Sequence, residues 1–171
     1  KWNGCGGLSG SPSDQPYRGT TGASDPETIT VENKVRSLIP DQRGPNDGDP
    51  APITTTGVYQ NMHSNASLNL YPWGWEGMAA PNGAELANLG QHLSAANAGP
   101  PGNSYQSCQP PNCLYAVDGD AIDWAYGERG IAAFTTEVGG SDFLVPLNYT
   151  TGTNWPANRG ASPSQAQVPR P

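Results

Sequence analysis

Eighteen prolines and 22 glycines in 171 residues decide where regular structure can form along this chain. Proline has no backbone N–H and clashes with a preceding helical turn, and glycine loses the most conformational freedom when it is ordered. Helices and strands are therefore confined to the gaps between them. Residues 1–23 hold no long gap and read as an irregular surface loop, with turns near Gly6-Gly7 and Ser11-Pro12. The first gap opens at Ser24-Asp25-Pro26-Glu27, a helix start in which Ser24 caps, Pro26 suits the first turn and Glu27 is the capping-box partner. Val31, Val35, Leu38 and Ile39 follow at the spacing of one helical face, and Pro40 ends the run.

Residues 40–56, rich in proline, glycine and aspartate, predict a long surface loop. Residues 57–62 predict a strand leading to His63, and Leu68, Leu70 and Tyr71 a second extended stretch that Pro72 ends. A helix is expected over 82–97, with Leu86, Leu89 and Leu93 on one face, followed by a Pro/Gly-rich loop over 99–112. A further helix over 120–129, closed by Gly130, leads into a buried strand over 131–138. Helices alternating with strands imply an α/β layered domain in which helices cover the sheet. Pro163, Pro169 and Pro171 break this pattern, so residues 162–171 read as a Pro-rich tail beyond a domain of 1–161.

A hydrophobic fraction of 35% suffices for one core, hence one domain or part of one. The net charge of −7 repels phosphate backbones and anionic lipid, which argues against nucleic-acid and membrane partners. No apolar run is long enough to span a bilayer. The first residues lack the apolar stretch and cleavage pattern of a leader, as expected of a chain that does not begin where a secreted precursor would. Charged residues are only 13%, a composition met more often outside cells than in the cytosol. Cys108 and Cys113 flank Gln-Pro-Pro-Asn and either close a small surface disulfide loop or remain thiols. In the first case Cys5 is left to a partner outside the chain. Asn65-Ala66-Ser67 and Asn148-Tyr149-Thr150 fit the glycosylation pattern.

Two histidines are present. His92 falls within the 82–97 helix and reads as a partly exposed or structural helix residue. His63 ends a strand, where binding crevices form in α/β sheets. Glu137 lies at the end of an otherwise apolar strand, where a carboxylate is costly unless it is paired or functional. The His-Glu-x-x-His, Gly-x-Ser-x-Gly, Walker and dinucleotide patterns are all missing.

The blocks His63-Ser64 and Leu70-Tyr71-Pro72-Trp73-Gly74 resemble the strand and turn that carry the third zinc ligand in zinc metallocarboxypeptidases of the carboxypeptidase A/T type. The stretch from Leu114-Tyr115 through Asp120-Ala121-Ile122-Asp123-Trp124 is similar to that family's substrate-capping tyrosine and pocket segment, and Phe134-Thr135-Thr136-Glu137 to the strand ending in its catalytic glutamate. Weaker likenesses run from Lys1-Trp2 through Tyr17-Arg18-Gly19 to Trp155-Pro156-Ala157-Asn158-Arg159. The resemblance implies the C-terminal part of a three-layer α/β/α fold with a mixed central sheet, secreted, using zinc to release C-terminal residues from peptides and proteins. It implies that His63 is a zinc ligand and Glu137 the proton-accepting catalytic residue. It also implies that Tyr115 closes over the substrate, with Ser64, Gly74, Asp120 and Ile122 in the substrate site. An apolar Ile122 beside an acidic Asp120 suggests that hydrophobic and basic C-terminal residues are both accepted.

A catalytic zinc takes three protein ligands and an open position. The family's His-x-x-Glu pair, carboxylate-binding arginine and Asn-Arg pair are expected upstream of the segment beginning at Lys1, and neither His63 nor His92 is followed by glutamate three residues on. The N-terminal half of the catalytic domain is thus expected as a necessary partner, and without it a strand edge and an apolar face are left uncovered. The alternative is a catalytically inactive relative that binds C-terminal peptides.

Overall fold

The computed structural model describes residues 8–98 and 104–139. Its elements are α1 (Pro26–Leu38), β1 (Val58–Ser64), β2 (Leu68–Leu70), α2 (Gly83–Asn97), β3 (Gln106–Cys108), α3 (Pro110–Cys113), α4 (Ala121–Arg129) and β4 (Ala132–Val138). The chain divides into two compact units. The described residues of one are 8–59, 72–83 and 109–133, and those of the other 60–71, 84–98, 104–108 and 134–139.

The second unit is built on a four-stranded sheet in the order β1-β4-β2-β3. β2 runs parallel to β3, pairing Asn69 with Ser107, and antiparallel to β4, pairing Asn69 with Thr136. The sheet is therefore mixed, within the α/β class the sequence implies. Leu86 and Leu93 of α2 are buried, but the buried stripe continues through Gly90, Ser94 and Asn97, and Leu89 is only half-buried. Gly90 explains the shift: a Cβ there would lie 2.0 Å from Ser107 Oγ and 3.5 Å from the Phe134 ring, so the helix approaches the sheet through its glycine. His92 is exposed, with Nδ1 2.9 Å from the carbonyl of Asn88, as a surface helix residue should be.

The first unit packs around α4. Asp120 caps this helix by accepting from Ile122 N–H at 3.2 Å, and Gly130 ends it in the left-handed conformation, with φ 68°. Ile122, Ala125, Tyr126 and Ile131 are almost wholly buried. Trp73 meets Tyr126 edge-on at 5.1 Å, and the Arg43 guanidinium lies over both rings at 5.6 and 5.2 Å. The long loop anchors here through Arg43 Nη1 to the Gly127 carbonyl at 2.9 Å, Gln42 N–H to the Arg129 carbonyl at 3.2 Å and Ala51 N–H to Asn82 Oδ1 at 2.7 Å.

Several expectations need correction. α1 is capped at Asp25, without a side-chain cap bond, so Ser24 stands one position too early to reach the first-turn amides, and its hydroxyl has no partner among the described residues. No residue of α1 is buried, and Ile29, Val31 and Leu38 are exposed, so among the described residues the expected helical face meets no core. β1 continues to Ser64, placing His63 within the strand rather than beyond it. The 99–112 loop gives way to β3 and the start of α3. Three residues of strand show no readable alternation, and β3 forms because β2 pairs with it. α3 is a single turn opened by Pro110, where the missing N–H costs nothing. Cys108 and Cys113 are both disulfide-bonded, closing the small loop. Cys5, the Asn148 sequon and the Pro-rich tail lie outside the described residues.

Candidate active site

β1 and β4 are neighbours in the sheet, and each delivers one polar side chain near its end. His63 Nδ1 lies 3.6 Å from Glu137 Oε1, beyond hydrogen-bond range but close enough for strong electrostatic coupling. The histidine side chain is 55% exposed and the glutamate 13%. Burial pushes the Glu137 carboxyl above the ordinary glutamate range, and the nearby imidazole partly opposes that shift. A carboxylate of raised basicity beside an open imidazole is a better proton acceptor than an exposed one.

Just past Glu137, Gly139 N–H donates to the buried Tyr105 hydroxyl at 2.7 Å. Loss of solvent raises the Tyr105 pKa, so the ring stays a neutral acceptor that ties down the end of β4. Sequence reasoning passed over Tyr105 because it stands beside a Pro/Gly-rich stretch with no periodic pattern.

The first unit gathers a second group of site candidates. Gly74 N–H reaches both Asp123 oxygens, at 2.8 and 2.9 Å, and Trp75 N–H reaches Oδ2 at 3.2 Å. A Cβ on Gly74 would stand 3.2 Å from Asp120 Oδ2 and 3.4 Å from Asp123 Oδ2, so a bare backbone keeps this acidic corner open. Burial raises the Asp123 pKa to about 7 despite its amide donors, and Asp120 adds to the rise. Asp123 was missed as a site residue, although an acid among Ile122, Ala125 and Tyr126 on the buried face of a helix is a readable signal. Ile122 has no exposed surface, Tyr115 is 65% exposed in the segment between α3 and α4, and Ser64 is exposed at the end of β1.

Among the described residues, no group of three or more His, Cys, Asp or Glu side chains is placed to hold a metal ion. His63 suits one position of a three-ligand zinc site, but the described residues do not complete the set.

The family model for zinc carboxypeptidase (peptidase M14) matches residues 1–155. The chain belongs to the zinc carboxypeptidase family. Carboxypeptidase B of Astacus astacus is 28% identical over 151 residues, covering 86% of this chain and 45% of that protein. Carboxypeptidase A1 of Rattus norvegicus is 28% identical over 153 residues, covering 88% and 33%. The chain thus spans less than half the length of these zinc carboxypeptidase relatives. Among solved structures, bovine thrombin-activatable fibrinolysis inhibitor, in complex with tick carboxypeptidase inhibitor, superposes with a TM-score of 0.69 at 24% identity, over 91% of this chain and 49% of that one. The carboxypeptidase A of Helicoverpa armigera gives 0.70 at 19% identity, over 91% and 37%. At these identities the structures show the fold alone. No helix among the described residues is long and apolar enough to cross a membrane.

Proposed function

We propose that the protein carrying this chain hydrolyses the C-terminal peptide bond of peptides and proteins as a zinc metallocarboxypeptidase. The observation that carries this reading is the approach of His63 and Glu137 to 3.6 Å at the ends of adjacent strands in a chain of this family. Glu137 takes a proton from the attacking water and returns it to the leaving amine, and its partial burial suits it to both transfers. His63 would hold one position of the zinc site, with the other ligands supplied by the N-terminal half of the catalytic domain, and the metal would there polarise the scissile carbonyl and the attacking water. Tyr115, exposed and on an irregular segment, closes over the terminal residue of the substrate, and Ser64 contributes from the end of β1. Gly74, Asp120 and Ile122 shape the side-chain pocket, with Asp120 available to a basic side chain and Ile122 to an apolar floor. The disulfide at Cys108 and Cys113 supports an extracellular location.

The test is hydrolysis of acylated dipeptides ending in Phe or Arg by the full-length protein and its Glu137→Gln variant. The variant should lose about 10²–10⁴-fold in kcat, the usual share of a general base. Full activity in the variant refutes the role of Glu137, and peptide binding without turnover in the unaltered protein shows a binding module. Comparable turnover of both substrates supports dual specificity, and strict preference for either sinks it.

A further inference from the structure

Each of the four strands carries one polar side chain at matching height on a single face of the sheet. Gln60 of β1 donates from Nε2 to Thr136 Oγ1 of β4 at 2.7 Å, and that hydroxyl donates to Asn69 Oδ1 of β2 at 2.8 Å. Asn69 stands in register with Thr136 on one side and with Ser107 of β3 on the other. α2 completes the row from above: Asn69 Nδ2 donates to Ser94 Oγ at 3.0 Å, and Asn97 Nδ2 donates to Asn69 Oδ1 at 3.1 Å. Asn69 and Thr136 are 0% exposed and Asn97 1%.

Such a row is not needed for stability, because apolar groups of the same shape can replace a satisfied buried polar pair at little cost. What it supplies is register. A strand that slips by two residues keeps the same faces in and out, so a hydrophobic pattern alone does not forbid the slip, whereas a side-chain bond between strands does. Among the described residues β1 lies beside β4 alone, with Met62, His63 and Ser64 exposed, so little apolar burial there fixes its register. Gln60 stands three residues before His63, and Thr136 one residue before Glu137.

We propose that Gln60 and Thr136 are positioning residues, holding β1 against β4 through Asn69 so that His63 keeps its place beside Glu137. The kinetic half of this proposal rests on the carboxypeptidase reading above, but the structural half does not.

The experiment compares the full-length protein with its Thr136→Val and Thr136→Ser variants. Amide hydrogen exchange over residues 60–64 is set against β2 and β3, together with kcat and KM for C-terminal hydrolysis. Thr136→Val should speed exchange in β1 by about fivefold, the worth of one net hydrogen bond, with a smaller change in β2, where Asn69 Oδ1 keeps Asn97 as donor, and none in β3. It should lower kcat about tenfold at constant KM, since small misplacements of reacting groups carry a large rate penalty. Thr136→Ser, which keeps the hydroxyl, should restore both. Should Thr136→Val fail to fold, Gln60→Met must show the same selective exchange in β1. Equal change across all strands, no change in β1, failure of serine to restore, or an unaltered kcat in an active enzyme overturns the proposal. If the unaltered protein turns over no peptide, the carboxypeptidase reading falls and the exchange pattern still decides whether the row holds β1.

Discussion

Around α4 the buried polar groups carry formal charge: Arg43 lies under Trp73 and Tyr126, and Asp123 lies beneath the amides of Gly74 and Trp75. Under α2 they are neutral, an amide and hydroxyl row running from Gln60 to Asn97. The charged groups bond to backbone and so pin loops that lack any ladder of their own. The neutral groups bond to each other and so align elements that already have one. Charge is the stronger anchor per bond, but it makes a fold sensitive to pH and intolerant of losing one partner.

The largest expected effect is at Arg43. Arg43→Ala should destabilise the full-length protein by about 3–4 kcal/mol in denaturant unfolding, because it removes the donor to the Gly127 carbonyl and empties the space beside two rings. A loss below about 1 kcal/mol would erase the contrast, since surface substitutions cost no more.

Asp123 gives the sharper comparison. Its folded pKa, raised to about 7, lies above that of an unfolded aspartate, so its contribution to stability is complete below the unfolded value and is lost as pH rises through about 7. The unaltered protein should therefore be more stable at pH 5 than at pH 8 by about 2 kcal/mol from this group, and Asp123→Asn should flatten that part of the profile. A slope unchanged in the variant would place the pH dependence elsewhere.

In the sheet, Asn69→Ala should cost about 2 kcal/mol by leaving Thr136, Ser94 and Asn97 short of partners, and the loss should be equal at pH 5 and pH 8. A pH-dependent loss would break the distinction between the two regions. The smallest effect is expected at the surface, where Arg36 bonds Glu128 and Glu32 and faces Trp124. Arg36→Ala should change stability by no more than about 0.5 kcal/mol, and that change should vanish in high salt.

The elements legible in the sequence are those that carry their own signals. α2 shows apolar spacing, α4 a capping aspartate and a closing glycine, and β4 opens on Ala132, Ala133 and Phe134. β3 and α3 were illegible because neither has a pattern: one exists through pairing with β2, the other through two prolines and a disulfide. His63 and Glu137 stand out only weakly on their strands, and the roles expected of them come from the resemblance to zinc carboxypeptidases. Asp123 escaped because its oddity, an acid on a buried face, was masked by the neighbouring Asp120. The polar row was invisible for a different reason. Gln60, Asn69 and Thr136 look like ordinary half-exposed strand residues until pairing stacks them.

The absence of a side chain at Gly90 has a consequence for how this protein can change over time. With a Cβ there placed 2.0 Å from Ser107 Oγ and 3.2 Å from Ser107 Cβ, alanine at 90 requires the Ser107 hydroxyl to swing away and its Cβ to give by a few tenths of an ångström. Alanine at 107 removes the closer of these contacts and glycine removes both. The two positions are thus coupled, and relatives that gain a side chain at the helix position should tend to carry a smaller one at its strand counterpart.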